Sequence, residues 1–399
     1  MKLEAWNLRA SGNLGNWNRA SRVDPPSYNG VVPLSPAELS RYSRHLLLPE
    51  FGEAGQTRLK AARVLIVGAG GLGSPAALYL AAAGVGVIGL VDDDTVDETN
   101  LQRQILYGTA DIGRPKLEAA EARLRDVNPL ISIERFDQPF GPGNGRGLVE
   151  AFDVVIDGTD NFPTRYLVND ACVMTRTPNV YGSVSRFEGQ ASVLAAPGGP
   201  CYRCLHPEPP PAGLIPSCAE GGVLGVLPGL VGTIQATEAI KIITGIGEPL
   251  VGRLLLYDAL AMRLREIALP RDPDCSVCSD QPTIRDLVAY EAACGSRPGR
   301  EDEMTVDELR TWRREGRAHA LVDVREPSEH AAANIDGAML VPLGSLVQAL
   351  DCLPSDRPVV VHCQSGGRSA RATAMLRAKG FDAYNLAGGI QAWIRGSKL

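Results

Sequence analysis

The sequence predicts an α/β protein with two domains, each built around a mainly parallel sheet. At 399 residues the chain is longer than a single ordinary core usually supports. Short apolar strand segments alternate with helical segments and glycine-rich turns, first from about residue 63 and again from Met304. Between these regions, residues 286–303 hold Gly, Pro, Arg and Glu without hydrophobic periodicity, which predicts a linker.

The composition narrows the class of protein. Hydrophobic residues make up 44% of the chain and charged residues 22%, as in soluble globular proteins. The net charge of -6 argues against nucleic acid as the main partner. We expect no apolar run of membrane-spanning length, and residues 1–34 are predicted to be a flexible polar tail without a signal peptide. We therefore expect a cytoplasmic protein with no membrane partner.

The first domain, residues 35–285, contains a strand–loop–helix unit near its start. Ser35 precedes Pro36 in a pattern typical of a helix N-terminus. The unit then contains a strand at 63–67, the glycine loop at 68–73 and a helix at 74–83. A second strand at 84–91 follows and ends at Asp92. This order predicts a Rossmann-like, doubly wound domain with a mainly parallel sheet. A further helix is expected over residues 223–244.

The glycine loop indicates a nucleotide site. Gly68, Gly70 and Gly73 have the spacing of a dinucleotide-binding loop, and Asp92 stands at the distance expected for an acid on the ribose. From these residues alone, a nicotinamide- or flavin-dependent oxidoreductase remains open.

Charged residues around this loop favour a triphosphate instead. Arg103, Lys116 and Arg44 supply cations in three separate segments, which suits a departing pyrophosphate and is not needed for hydride transfer. Asp160 follows the buried strand 153–157, where an open α/β sheet places functional groups. A carboxylate there can hold magnesium against phosphate oxygens.

Together these motifs resemble the sulfur-carrier adenylyltransferases, the activating enzymes of molybdopterin synthase and thiamine biosynthesis. The resemblance covers residues 35–281 and implies that Arg44 reaches the phosphates of the second subunit in a homodimer. It also implies that Asp160 holds magnesium. The ATP-binding residues it implies are Gly68, Gly70, Gly71, Gly73, Asp92, Asp94, Asn100, Arg103, Gln104, Lys116, Asp160 and Asn161.

Four cysteines in two C-x-x-C pairs predict a zinc site. Cys201 and Cys204 form one pair, and Cys275 and Cys278 form the other. Two such pairs complete a closed tetrahedral shell, which is the structural type of zinc site. Two unrelated thiol pairs are the alternative. A redox-active pair is expected to begin a helix, whereas Pro200 and Pro207 favour a loop.

The second domain, residues 304–399, carries a reactive cysteine. Cys363 follows the buried strand 358–362 and precedes a glycine-rich turn into a helix, so backbone N–H groups and the helix dipole would stabilise an anion on its sulfur. The segment Cys363–Arg368 resembles a rhodanese active loop, which implies a smaller α/β rhodanese domain with Cys363 and Arg368 in catalysis. A cysteine phosphatase is the alternative, but its loop has one more residue between cysteine and arginine.

The two resemblances together imply ATP-dependent adenylation of the C-terminal glycine of a ubiquitin-like sulfur carrier ending in Gly-Gly. A persulfide on Cys363, loaded from thiosulfate or a cysteine desulfurase, would then give a thiocarboxylate. Cys218 is either a thiol that bonds transiently to the activated carrier or resolves a disulfide, or a loop thiol without a role. The alternatives are an oxidoreductase with an appended sulfurtransferase and a non-catalytic nucleotide-binding regulator. Molybdenum cofactor, thiamine, cysteine, tRNA thiolation and secondary-metabolite pathways all stay open.

Overall fold

The computed structural model describes residues 33–209, 222–289, 302–364 and 366–395. Cys218 and most of the predicted tail and linker lie outside this range. Within it the strands form one sheet of eight strands and a second sheet of five.

The first sheet is mainly parallel and extends at one side into an antiparallel part. Its strands pair in the order β3-β2-β1-β4-β5-β6-β7-β8, and the pairs from β3 to β5 are all parallel. The last three pairs are antiparallel. In chain order the strands are Arg63–Val67 (β1), Val87–Val91 (β2), Ser132–Phe136 (β3), Val154–Asp157 (β4), Asn179–Ser185 (β5), Glu188–Leu194 (β6), Arg253–Asp258 (β7) and Arg263–Ala268 (β8).

Helices cover both faces of this sheet. One apolar core includes Leu80, Leu124 and Ile243 from three helices of one face, and another includes Val149 and Leu167 from the opposite face. Cover on both faces confirms the predicted doubly wound arrangement. The helices are Pro36–Arg41 (α1), Ser43–Leu46 (α2), Gly52–Ala61 (α3), Gly73–Ala83 (α4), Lys116–Val127 (α5), Gly145–Glu150 (α6), Phe162–Thr175 (α7), Tyr202–Leu205 (α8) and Val226–Thr244 (α9).

Helix α9 corrects one expectation. It has 19 residues, and a stretch of 18 of them has a mean hydropathy of 1.3. By length and composition alone it could therefore cross a membrane, although no such segment was predicted. More than half of that stretch is buried inside the protein. Leu227, Ala239 and Ile243 are almost completely buried, and α9 packs against α4 and β5. These contacts are those of a core helix.

The second sheet is entirely parallel, in the order β11-β10-β12-β13-β9. This agrees with the predicted smaller α/β domain. Glu303 pairs with Asn385 in this sheet, although the sequence placed it in the linker. The elements are Glu303–Met304 (β9), Val306–Arg314 (α10), Ala320–Asp323 (β10), Pro327–Ala332 (α11), Ala338–Leu340 (β11), Val359–His362 (β12), Gly367–Ala378 (α12), Ala383–Leu386 (β13) and Gly389–Arg395 (α13).

Local capping signals mark the start of α1 and the end of α4. The Ser35 side chain accepts from the Glu38 amide while the Glu38 carboxylate accepts from the Ser35 amide, so the predicted N-terminus is confirmed. Strand β2 begins at Val87 and not at Gly84, because Gly84 closes α4 with a positive φ of 87°.

Candidate functional site

The glycine loop lies where the strand order of the first sheet changes direction, between β1 and β4. Gly68 has a φ of 91°, and a Cβ there would lie 2.8 Å from the Gly158 carbonyl oxygen. A Cβ on Gly73 would lie 2.0 Å from the Gly68 carbonyl oxygen, so these glycines are required by backbone contact. At Gly70 the nearest atom to such a Cβ is Gln104 Nε2, at 3.6 Å. The loop therefore leaves space above Gly70, as a phosphate-binding loop must.

An acid and a lysine meet beside this loop. Asp92 accepts hydrogen bonds from the backbone N–H groups of Ala69 at 2.8 Å and Asp94 at 3.0 Å. Lys116 Nζ lies 2.8 Å from the Asp94 carboxylate and 3.6 Å from that of Asp92. Burial raises the pKa of Asp92, and the charge of Lys116 opposes that rise. Lys116, predicted to bind phosphate, thus lies beside Asp92, predicted to bind ribose, and is paired with Asp94, predicted to bind ATP.

The segment after β2 brings further predicted residues to the same place. Arg103 Cγ lies 3.6 Å from the position of a Cβ on Gly71, and its guanidinium donates to the Thr99 carbonyl at 3.0 Å. The Asn100 carbonyl accepts from the backbone N–H of Gln104 at 2.9 Å. Gln104 is buried, and its Oε1 has no hydrogen-bond partner within the described residues. A buried unpaired oxygen beside an open loop fits a nucleotide that donates to it.

Two predicted residues are free to meet a ligand. Asp160 is exposed in the loop after β4, and Arg44 is exposed on α2. Neither side chain forms a hydrogen bond or an ion pair with another described residue. Asn161 caps α7 instead, since its Oδ1 accepts from the Thr164 amide at 3.0 Å. Asp160 can therefore hold a cation that also binds phosphate oxygens, as magnesium does.

A buried ion pair that the sequence analysis missed supports the Asp160 loop. Arg165 Nε lies 3.6 Å from the Asp157 carboxylate, and its Nη2 donates to the Thr159 carbonyl at 2.8 Å. Burial raises the pKa of Asp157, and Arg165 opposes that rise. An acid that ends a buried strand, with an arginine in the first turns of the next helix, is the signal that would have found it.

The four predicted metal ligands come together. All four Sγ atoms lie within 4.8 Å of one another, with Cys201 to Cys275 at 3.6 Å and Cys204 to Cys278 at 3.4 Å. A tetrahedral zinc with bonds of about 2.3 Å requires sulfur separations of about 3.8 Å. The donor set and spacing therefore fit zinc.

The first pair does begin a short helix, α8, which the sequence placed in a loop. A helix start therefore does not distinguish a metal site from a redox site in this protein. The clustering of four sulfur atoms does, because a redox pair needs only two. The residues between the cysteines attach the site to α7. The Tyr202 amide donates to Asn169 Oδ1 at 2.6 Å, and Arg203 forms two bonds of 2.9 Å to the buried Asp170 carboxylate.

Removing one of these ligands is expected to destabilise the first domain. Structural zinc binding contributes on the order of 10 kcal/mol to the folding of small metal-binding modules. Cys275→Ser should therefore lose the metal and lower the unfolding temperature, measured by metal analysis and calorimetry. Cys352→Ser, at an exposed cysteine of the second domain, is the control. Absence of zinc from wild-type protein purified without chelator would refute the zinc site.

Cys363 occupies the loop after β12, at the C-terminal edge of the second sheet. The Gly366 amide donates to its Sγ at 3.1 Å, and Gly366 has a φ of 108°. The Ile390 amide donates to the Cys363 carbonyl at 2.9 Å, while a Cβ on Gly389 would lie 2.5 Å from that oxygen. The N-terminus of helix α13 therefore packs against the backbone of the loop, and the sulfur faces the N-terminus of α12.

A charged network holds this loop. The buried Arg325 donates to the Asp323 carboxylate at 2.6 Å and to Gln364 Oε1 at 3.3 Å. Burial alone would raise the pKa of Asp323, but hydrogen bonds from Arg325 and His330 hold it below its usual value. Arg368 makes two bonds of 2.6 Å to Glu329. Arg368, predicted to act in catalysis, is thus paired with a carboxylate.

Comparison with known proteins agrees with both family resemblances. A model described as the ThiF family matches residues 42–277, and a model of the rhodanese-like domain matches residues 305–395. The chain belongs to the ThiF family. Its C-terminal rhodanese-like domain confirms the second resemblance.

This ThiF-family chain has full-length relatives. It is 50% identical to the probable adenylyltransferase/sulfurtransferase MoeZ of Mycobacterium tuberculosis over 385 residues, which cover 93% of this chain and 96% of that protein. It is 52% identical to a sulfur carrier protein adenylyltransferase of Thermus thermophilus over 65% of this chain and 98% of that protein. The E. coli MccB crystal structure matches 61% of this chain and 73% of that chain, with 26% identity and a TM-score of 0.53. The relatives are named for transferase activities, so the oxidoreductase alternative has no support among them.

Proposed function

We propose that this protein adenylates the C-terminal glycine of a small ubiquitin-like sulfur carrier and then converts that carboxylate to a thiocarboxylate. One observation carries the proposal: a single chain joins an open glycine loop, with Arg103 and Lys116 beside it, to a cysteine held at a helix N-terminus. Its relatives are named for the same two activities over nearly the whole chain. The carrier is expected to end in Gly-Gly, so that its tail is thin enough to reach the loop.

In the first step the carrier carboxylate attacks the α-phosphate of ATP, and pyrophosphate leaves. Asp92 orients the ribose, and the open face of Gly70 admits the phosphates. Arg103 and Lys116 stabilise the charge that develops on pyrophosphate, with Lys116 exchanging its present acid partners for phosphate. A magnesium ion, when bound, neutralises phosphate oxygens, and Asp160 is the residue that would hold it.

Adenylation makes the second step possible because AMP is a far better leaving group than oxide. The outer sulfur of a Cys363 persulfide attacks the acyl carbon, an S–C bond forms, and AMP leaves. A second thiol then attacks the Cys363 sulfur, which releases the carrier thiocarboxylate and leaves a disulfide for a cellular dithiol to reduce. Cys218 is the proposed second thiol. The persulfide itself is loaded from thiosulfate or a cysteine desulfurase.

The setting of this activity follows from the same chemistry. Zinc-binding cysteines must stay reduced, and Cys363 must be returned from the disulfide to the thiol after each transfer, so we propose an enzyme of the reducing cytoplasm. Arg44 is exposed and has no ion-pair partner within the part of the chain that the structure describes, which suits a homodimer in which it completes the phosphate site of the second subunit.

The test combines two measurements on the full-length protein. Carrier-dependent exchange of labelled pyrophosphate into ATP is expected, because the first step is reversible. With ATP and thiosulfate, intact mass measurement should show one oxygen replaced by sulfur on the carrier. No exchange with any carrier would support the non-catalytic regulator instead. Exchange without the mass change would refute the sulfur step alone.

A further inference from the structure

The sulfur of Cys363 has two donors within reach, and one of them is a side chain. The Gly366 amide lies 3.1 Å from Sγ, and the Ser369 hydroxyl, in the first turn of α12, lies 3.4 Å from it. Cys363 and Ser369 both have an exposed fraction of 0%. Water therefore does not compete with these donors at the inner sulfur.

The Ser369 hydroxyl also has a second acceptor. Its Oγ lies 3.0 Å from the Gly366 carbonyl oxygen. A hydroxyl carries one hydrogen, so it donates to the carbonyl or to the sulfur, but not to both. A thiol or disulfide sulfur is a weak acceptor, whereas a thiolate accepts a charge-assisted hydrogen bond. The favoured partner of Ser369 therefore depends on the charge of the sulfur.

We propose that Ser369 is a catalytic residue whose hydroxyl turns from the Gly366 carbonyl to the Cys363 sulfur whenever that sulfur is anionic. This inference rests on the proposed sulfur transfer and adds a residue to it. It assigns the stabilisation of the thiolate to a side chain that can be replaced, in addition to the backbone.

Two balanced steps place charge on that sulfur. In loading, the Cys363 thiolate attacks the outer sulfur of thiosulfate, an S–S bond forms, and sulfite leaves with the electron pair of the broken bond. In transfer to cyanide, cyanide bonds to the outer sulfur and thiocyanate leaves, while the S–S electron pair returns to Cys363. The thiolate is the nucleophile in the first step and the leaving group in the second, so Ser369 contributes to both.

Other titratable groups near the loop could also change the pH profile of Cys363, so their contributions must be distinguished from that of Ser369. Burial lowers the pKa of His362 to about 4, so its ring is neutral in the assay range. His330 hydrogen-bonds Asp323 at 2.8 Å and is identical in every variant, so its contribution cancels when variants are compared at the same pH. The charged and titratable residues around the loop are Asp323, Arg325, Glu329, His330, His362 and Arg368.

The test measures alkylation of Cys363 by iodoacetamide as a function of pH, by mass spectrometry of the Cys363 peptide. In Ser369→Ala the midpoint of the pH profile should move to higher pH. The rate below that midpoint should fall about ten- to a hundredfold, and the two profiles should converge at high pH. Thiosulfate-to-cyanide transfer should fall by a similar factor. Thr373→Ala is the matched control: it removes another buried hydroxyl from α12, one turn further on and outside the bonds to Sγ.

An isosteric pair guards against misfolding of the alanine variant. Ser369→Thr keeps a hydroxyl and should retain the wild-type profile, whereas Ser369→Val has the same shape without it and should lose that profile. Identical profiles for all Ser369 variants and wild type would overturn the inference. Failure of the wild type to form a persulfide would refute the proposed function, while the alkylation profiles would still decide the role of Ser369.

Discussion

Cys363→Ala is expected to abolish sulfur transfer and to leave carrier adenylation at the wild-type rate. The Cys363 sulfur is the group held by the Gly366 amide at the N-terminus of α12, and alanine has no nucleophile to replace it. The phosphate chemistry uses residues of the first domain only. Thiosulfate-to-cyanide transfer should fall to background, while carrier-dependent pyrophosphate exchange should be unchanged.

The reciprocal variant sharpens this test. Asp160→Ala, at an exposed residue after β4, should stop pyrophosphate exchange and retain sulfur transfer to cyanide. Cys352→Ala removes an exposed thiol of the same domain as Cys363 and should change neither activity. If Cys363→Ala also stopped pyrophosphate exchange, the division of labour between the two sites would be wrong.

Mixing Arg44→Ala with Asp160→Ala chains is expected to restore adenylation that neither variant has alone. Removal of one cation that stabilises the leaving pyrophosphate should cost about a hundredfold or more in rate. If Arg44 acts on the second subunit, one of the two sites in a mixed dimer keeps both residues. If it acted within its own subunit, neither site would be complete.

Pyrophosphate exchange before and after subunit mixing provides the measurement, with light scattering to establish the dimer. Arg41→Ala is the control, because this exposed arginine on α1 donates to the Val127 carbonyl of its own domain and is assigned no phosphate role. A monomer in solution, or no recovery under conditions where subunits exchange, would contradict the shared site.

Much of the architecture follows from local signals. The pattern of neighbouring residues predicts the strand, glycine loop and helix around Gly68, and it also predicts the strand and turn around Cys363. Strand β4 was also predicted from its apolar run. The antiparallel part of the first sheet, β6 to β8, was not predicted, because pairing between distant strands leaves little trace in local sequence.

Some properties of the candidate sites could likewise be predicted from local sequence, and others could not. The sequence by itself determined which residue types are present and at what spacing: the glycine loop, the two C-x-x-C pairs, and the cysteine loop with its length. These properties can be recognised in the sequence because each depends on residues only a few positions apart.

Only the tertiary structure decided which of these groups meet. It brought Cys201 to Cys275 across 74 residues, and it paired Lys116 with Asp94, so that a predicted phosphate ligand is held by acids. It also buried Arg165 against Asp157 and placed Ser369 beside the Cys363 sulfur. The energies of such contacts depend on burial and on distances of a few ångströms, and both are set by the packing of the whole sheet.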